Sequence, residues 1–110
     1  HGQNIERVLD NMPSAEGFQD ISFLFQQLGD STRLRILWLL CHCEECVCNI
    51  AAAVDMSAPA VSHHLRILKK SGIIISRREG KEVYYRAADT EVSRLLHNMI
   101  EQVMEIACPN

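Results

Sequence analysis

The sequence has 110 residues, a net charge of −3 and 47% hydrophobic residues. This length suits one globular domain with one core and is too short for two, and the composition is that of an ordered protein. We expect residues 1–110 to form a single domain, with residues 1–4 disordered or derived from a tag. No apolar run approaches the ~18 residues of a membrane span, and no signal-peptide pattern is present, so a cytoplasmic protein is expected.

Positive charge is concentrated in one segment of an otherwise acidic chain. Residues 1–62 contain three basic and eight acidic groups, and residues 87–110 carry a net charge of −3. Residues 63–86 contain seven basic and two acidic groups. Such a block is typical of nucleic-acid binding, and the acidic remainder would limit non-specific binding to DNA.

Three amphipathic helices are predicted before the first cysteine. A short helix over residues 5–12 ends at Pro13, and Ser14 caps a second helix that runs to about Leu28. The second helix has an apolar face that is either core or a partner surface: Phe18, Ile21, Leu24, Phe25 and Leu28.

A third helix begins at Asp30 or Ser31, either of which can cap it, and runs through Leu40. The segment CHCEEC is then predicted to be a loop. The helical spacing predicts which side chains of the third helix point inward (Leu34, Leu37, Trp38) and which point outward (Arg33, Arg35).

Residues 45–71 are predicted to form two helices with a short break at residues 55–57. Ser57 can cap the second helix, and Pro59 falls in its first turn, where a missing N–H is tolerated. The inward positions are Ile50, Ala51 and Val54 in the first helix, and Val61, Leu65 and Leu68 in the second. The outward side of the second helix carries the polar and cationic residues Ser62, His63, Arg66, Lys69 and Lys70. This side is either the reading face of a recognition helix or a solvated helix face.

After residue 72 the pattern changes to that of a two-stranded hairpin. The β-prone runs 73–78 and 82–86 are separated by a turn at Gly80. Asp89 is predicted to start a last helix. The apolar stripe of this helix consists of Val92, Leu95, Leu96, Met99, Val103 and Ile106. Together with the apolar face of the second helix, it predicts a homodimer packed through the terminal helices.

A helix-turn-helix followed by a basic hairpin is a winged helix. The segments GDSTRLRILWLL (29–40), ECVCNIA (45–51) and MSAPAVSHHLRILKKSGIIISRREGKEVYYR (56–86) closely resemble the ArsR/SmtB family of metal-responsive bacterial repressors. The resemblance covers about residues 20–107. It implies a mainly α winged helix-turn-helix with a small β-hairpin, of the order ααααββα. It also implies a homodimer that binds an inverted-repeat operator in double-stranded DNA and releases it when an effector binds.

The basic segment supplies the candidate DNA contacts. Arg66 is the best candidate for bidentate recognition of a guanine, and Lys69 and Lys70 suit phosphate contacts. The wing cations suit phosphates or the minor groove. The full set of predicted DNA-binding residues is Ser57, Ser62, His63, Arg66, Lys69, Lys70, Arg77, Arg78 and Lys81. His64 is expected to be structural, and one of Tyr84 and Tyr85 to pack in the core.

Four of the five cysteines lie within eight residues, which favours metal or redox chemistry over a disulfide scaffold. Cys46 and Cys48 match in position the family's Cys-x-Cys motif before the recognition helix. In cadmium and lead sensors of the family, further thiols come from the N-terminal arm of the other protomer, but residues 2–40 contain no cysteine. Cys41 and Cys43 are therefore candidate replacements, with His42 a weaker one. Thiolates favour soft ions such as Cd(II), Pb(II), Zn(II), As(III), Bi(III) or Cu(I).

The family's second metal site lies on the last helix and matches this chain poorly. Asp89 and Glu105 fit its pattern, but Glu91 and Gln102 stand where histidines belong. His97 is out of register and is expected to be a surface or interface residue. Cys108 is either an extra ligand from a neighbouring chain or an exposed thiol.

Three other functions remain possible. The cysteines could act as a redox or persulfide switch in a DNA-binding repressor. A metal-storage protein without DNA binding would not explain the basic segment. A thiol oxidoreductase would need a βαβ context that is absent, so no enzymatic activity and no organic cofactor are expected.

Overall fold

The computed structural model describes residues 2–109, which form six α-helices and three short β-strands. The elements are α1 (Gly2–Asp10), α2 (Ala15–Leu28), α3 (Ser31–His42), β1 (Glu45–Cys46), α4 (Val47–Val54), α5 (Ala58–Lys70), β2 (Ile74–Glu79), β3 (Glu82–Ala87) and α6 (Glu91–Ala107). Residues 2–4, predicted to be disordered or tag-derived, lie in α1, and residue 1 lies outside the described part of the chain.

Side-chain caps fix where the helices begin. The Ser14 Oγ accepts from the Gly17 N–H at 3.1 Å, and the Ser57 Oγ accepts from the Ala60 N–H at 3.3 Å, as the sequence predicts. Asp30 caps α3. The last helix differs from the prediction, because Thr90 rather than Asp89 caps it and α6 begins at Glu91.

The core is formed where α3, α4, α5 and α6 meet the base of the hairpin. The inward positions predicted for α4 and α5 are confirmed, and Val61, Leu65 and Leu68 are at most 1% exposed. The core consists of Ile36, Leu37, Leu40, Ile50, Ala51, Val54, Val61, Leu65, Leu68, Ile73, Ile74, Leu96 and Ile100.

Two predictions for α3 are wrong. Trp38 was expected inside but is 41% exposed, because Ile36, Leu37 and Leu40 form the buried face. Arg33 was expected outside but is half-buried, since α2 packs against α3 and the Arg33 Nε donates to the Gln27 carbonyl at 3.1 Å.

The hairpin is confirmed, and it gains a third strand that the sequence did not predict. β2 and β3 pair from Ile74↔Ala87 to Glu79↔Glu82, and the loop between them has Gly80 at φ 64°, which suits glycine. β1 pairs with the other edge of β3, so the strand order is β1-β3-β2. The predicted CHCEEC loop is therefore shorter than expected, because α3 extends through His42 and β1 begins at Glu45.

α6 is attached to the base of the hairpin. The carbonyl of Ile73 accepts from the Ala88 N–H and from the Oγ–H of the buried Ser93, both at 2.9 Å. Leu96 and Ile100 continue the contact into the core.

Apolar side chains on α1, α2 and α6 remain exposed in the single chain. On α6, Leu95 is 67% and Ile106 is 81% exposed, and Phe18, Ile21 and Phe25 form an open face on α2. None of the helices within residues 2–109 combines the length and hydrophobicity needed to cross a bilayer.

Candidate DNA-binding surface and thiol segment

The two helices α4 and α5 are held in a fixed arrangement by the turn between them. Asp55 adopts the left-handed conformation at φ 55°, and the Met56 N–H donates to the Ala51 carbonyl at 3.0 Å. This ending satisfies the last carbonyls of α4 and leads directly into the Ser57 cap of α5. The geometry is that of a helix-turn-helix.

α5 presents the predicted contact residues on its open side. His63, Arg66, Lys69 and Lys70 are exposed, and Ser62 is half-buried. Ser57 lies at the start of the same helix, and its oxygen already accepts the capping hydrogen bond, so its O–H remains as the donor for a DNA contact. One face of α5 is thus fully buried while the other offers three cations.

The wing cations differ in their environment. Arg78 and Lys81 are exposed near the hairpin tip. Arg77 instead binds Glu44 and Glu79, each at 2.7 Å, and its guanidinium lies 5.0 Å from the centre of the Tyr84 ring. Two carboxylates therefore compensate the charge of Arg77 in the single chain.

Other aromatic and imidazole side chains of this region contact the protein itself. Tyr85 packs against the core, while Tyr84 lies under Arg77. His64 is half-buried, and its Nδ1 lies 3.4 Å from the Arg33 Nη1 and 3.8 Å from an oxygen of Asp30. Burial lowers the pKa of His64, with Asp30 opposing and Arg33 and His63 adding to that effect.

The four clustered cysteines occupy four different environments. Cys41 lies in the last turn of α3, and Cys43 caps the end of α3 with its Sγ 3.4 Å from the Leu39 carbonyl. Cys46 is buried at the start of α4, whereas Cys48 is exposed in the first turn. Within residues 2–109, their sulfurs do not form a set of three mutually within 4.8 Å, so a three-thiolate site would require side-chain rearrangement.

The pKa values of two of these thiols are raised. Burial, and then the charge of Glu101, raise the pKa of Cys41 to about 11. Burial and Glu45 also raise the pKa of Cys43. Metal binding by either thiol would release a proton, because thiolate is the ligand.

The thiol segment, defined here as residues 41–48, is tied to the wing. Cys46 in β1 pairs with Tyr84 in β3, and Glu45 pairs with Tyr85. Glu44 contacts Arg77 at 2.7 Å and Arg86 at 3.7 Å, and the Arg77 guanidinium holds the pKa of Glu44 below its usual range. The thiol segment is therefore in direct contact with the hairpin.

The structure also brings together side chains that the sequence left separate. His42, His97 and Glu101 place one ligand atom each within 4.8 Å of the others. His97 was expected to be an isolated surface or interface residue, but it contacts His42 from a position 55 residues away. The one signal in the sequence is the i, i+4 spacing of His97 and Glu101 on α6, which puts both on one helix face.

A helix-turn-helix whose second helix exposes cations, followed by a β wing, defines the winged helix-turn-helix class of DNA-binding protein. The solution structure of a homodimeric winged helix-turn-helix DNA-binding domain from Mycobacterium bovis, described as a possible ArsR-family transcriptional regulator, superposes with a TM-score of 0.76 at 30% identity. The match covers 88% of this chain and 94% of that one.

Sequence comparisons identify the family. The model of the arsR family of bacterial regulatory proteins matches residues 30–76. The transcriptional repressor SmtB homolog of Synechocystis is 36% identical over 105 residues, covering 96% of this chain and 80% of the relative. The cadmium resistance regulatory protein CadC homolog of Staphylococcus aureus is 39% identical over 108 residues, covering 97% and 88%.

The chain therefore belongs to the ArsR/SmtB family of transcriptional regulators, as its sequence motifs indicate. These are DNA-binding proteins and not enzymes. The expected fold class is confirmed, with β1 as an addition to the predicted hairpin.

Proposed function

We propose that this protein is a homodimeric repressor that binds an inverted-repeat operator and releases it when a soft metal or metalloid ion binds the thiol segment. Cys46 and Cys48 are the principal ligands, and Cys43 and Cys41 complete the site. The observation that carries the proposal is the pairing of β1 with β3, because it joins the buried Cys46 to the wing. The cadmium-resistance name of one relative supports a soft ion such as Cd(II).

The release mechanism follows from these contacts. Gathering the cysteine thiolates around one ion moves Cys43 and Cys46 relative to Cys48, since within residues 2–109 no three of these sulfurs lie within 4.8 Å of one another. That movement shifts Glu44, which holds Arg77 and Arg86, and shifts the start of α4. Both the wing and the helix-turn-helix then leave the arrangement that fits DNA.

The dimer is supported by the apolar faces of α2 and α6. Fully burying a leucine or valine side chain contributes about 1.5–3 kcal/mol, so faces as open as those around Leu95 and Phe18 favour a partner. The similar Mycobacterium bovis domain is homodimeric, so its partner is a second copy of itself. This supports a second copy of the present chain as the partner here. In such a dimer two α5 helices would read the two halves of an inverted repeat.

The direct test is operator binding by fluorescence anisotropy. Reduced, metal-free protein is mixed with DNA from upstream of its own gene at stated salt and titrated with Cd(II), Pb(II), Zn(II) and arsenite. We expect Cys46→Ser and Cys48→Ser to keep DNA binding and to lose release by the ion. Cys108→Ser, at an exposed thiol outside the cluster, is the matched control and should respond normally. Normal release in either cluster variant would disprove the ligand assignment.

The DNA surface has its own test. Arg66→Ala should cost about 1–3 kcal/mol and relax specificity at one base position, because bidentate contacts carry discrimination. Lys70→Ala should weaken binding similarly for all sequences and reduce its salt dependence. Unchanged affinity in both variants would remove α5 from the interface.

A redox switch is the second candidate, and the exposure of Cys48 favours it. An oxidant added with a chelator distinguishes the two mechanisms. Release of DNA under these conditions, reversed by a reductant, would assign the response to thiol oxidation instead of metal binding.

A further inference from the structure

The end of α3 and the middle of α6 meet at a cluster of three metal-ligating side chains. The Nε2 of His42 lies 2.9 Å from the Oε1 of Glu101 and 3.3 Å from the Nε2 of His97. The Nε2 of His97 lies 3.2 Å from the same carboxylate oxygen. The three atoms form a nearly equilateral triangle, and no cysteine contributes to it.

The size of this triangle fits a transition-metal ion. Zn(II) binds imidazole nitrogen and carboxylate oxygen at about 2.0–2.1 Å, and tetrahedral geometry then separates the ligand atoms by ~3.3 Å. The observed separations of 2.9, 3.2 and 3.3 Å are close to that value. The side chains thus stand near ligand positions without rearrangement, in contrast to the clustered thiols.

The hydrogen bonding of Glu101 is consistent with this role. Three nitrogen atoms converge on its Oε1, because the Trp38 Nε1 donates to that oxygen at 3.1 Å and the Nε2 atoms of His42 and His97 lie 2.9 and 3.2 Å from it. An ion in the triangle would use the nitrogen lone pairs of the two imidazoles, and Trp38 would continue to orient the carboxylate. Such outer partners commonly hold metal-binding carboxylates in place.

The donor set differs in character from the four clustered thiols. Two imidazoles and one carboxylate suit Zn(II), Co(II) or Ni(II), whereas clustered thiolates favour softer ions. The side chains of His42, His97 and Glu101 are 43%, 30% and 44% exposed, so an ion can enter from solvent and water can fill a fourth position. Zinc sites with three protein ligands and water in the fourth coordination position are well known.

We propose that His42, His97 and Glu101 form a Zn(II) site within one protomer that uses none of the clustered cysteines as ligands. It would join the last residue of α3 to α6 and so fix the helix that leads into Cys43. The site does not depend on the proposed cysteine site or on DNA binding.

The test uses protein carrying Cys41→Ser, Cys43→Ser, Cys46→Ser and Cys48→Ser, so that metal binding by the clustered thiols does not mask this site. Isothermal titration with Zn(II) should show one bound ion per chain. Imidazole NMR resonances of His42 and His97 should shift on saturation, while those of His63 and His64 should not. Co(II) should give the strong visible absorption of a tetrahedral complex.

Variants in the same background separate the ligands from bystanders. His97→Gln and Glu101→Gln should each abolish stoichiometric Zn(II) binding and the Co(II) absorption. Trp38→Phe should weaken binding by about 10–100-fold, as loss of an outer partner does. His63→Gln, at an exposed histidine on α5, is the matched control and should bind normally.

Circular dichroism of each variant checks folding, and two different ligand substitutions guard against a local folding defect. Full Zn(II) binding in both His97→Gln and Glu101→Gln would overturn the proposal. Unshifted His42 and His97 resonances at saturating Zn(II) would also overturn it. In a chain that keeps all its cysteines, His97→Gln should still release DNA in response to Cd(II). That result would show that the two proposed sites can fail independently.

Discussion

The two parts of this molecule differ in how they bury their apolar side chains. The part formed by α4, α5 and the hairpin places residues such as Leu65 and Ile74 in a core made by the same chain, at 1% exposure. The terminal helices α2 and α6 leave residues such as Leu95 and Phe18 largely exposed. The helix-turn-helix is therefore complete within one chain, whereas the terminal helices are suited to a second copy.

This difference bears on where the proposed response to an effector would act. A part that satisfies its own packing resists change, because cores are close-packed and respond to small volume changes. The thiol segment links the two parts, running from the last turn of α3 to the first turn of α4, and its β1 strand contributes only two residue pairs to the sheet. It is the place where little packing opposes a change in conformation.

The largest expected effect is a loss of stability caused by a cavity in the part formed by α4, α5 and the hairpin. Leu65→Ala should lower the free energy of unfolding by about 2–5 kcal/mol, because it removes a buried side chain from a packed core. Urea denaturation measures this loss. It should be found at every protein concentration, while Leu95→Ala should change mainly the concentration dependence of unfolding. A loss below about 1 kcal/mol for Leu65→Ala would contradict the assigned core.

A smaller effect is expected from the open face of α6. Leu95→Ser should weaken the dimer by about 2 kcal/mol, or roughly thirtyfold in Kd, because the leucine loses burial against the partner. Sedimentation equilibrium measures the change. Asn98→Ser, at an exposed polar position of the same helix, should leave the Kd unaltered. Equal Kd values for the two variants would place the interface elsewhere.

The smallest expected effect is on the pH dependence of stability and arises where α3 contacts α5. Burial lowers the pKa of His64 below its value in an unfolded chain, which is about 6.5. The unfolded state therefore binds a proton more readily, so stability should fall as the pH drops through about 6.5 and level off below the folded pKa. Denaturation at pH 7.5 and 5.5 measures this.

His64→Gln should remove this part of the pH dependence, and His63→Gln should retain most of it because His63 is exposed. An unchanged pH profile in His64→Gln would show that other groups cause the acid sensitivity. The charged residues Asp30 and Arg33, which face the His64 ring, would then be the first candidates for the cause of that sensitivity.

Features with local causes could be predicted from the sequence. Ser57 and Pro59 specify the start of α5 through a cap and a missing N–H, and Gly80 specifies the hairpin turn through its positive φ. The inward positions of α5 follow from helical spacing alone. The recognition surface was predicted because it lies opposite those positions, and the identity of its DNA contacts remains a prediction.

Features that depend on distant contacts could not be predicted in this way. β1 contains only Glu45 and Cys46, too few residues for a strand pattern, and it forms because β3 offers a free edge. Trp38 fits an inward position by spacing, but the direction from which α6 approaches leaves it exposed beside Glu101. The His42–His97 contact joins residues 55 positions apart, and only the fold brings them together.

The Ile73 carbonyl has a consequence for how the two wings of the proposed dimer would be coupled. Its two hydrogen bonds, from Ala88 and Ser93, fasten the start of α6 to the root of the wing. In a dimer joined through α6, a rotation of one helix against its counterpart would carry both wings with it. A change of a few degrees at the dimer axis would then alter the spacing of the two wing tips along the duplex, and with it the number of base pairs that the two protomers can span.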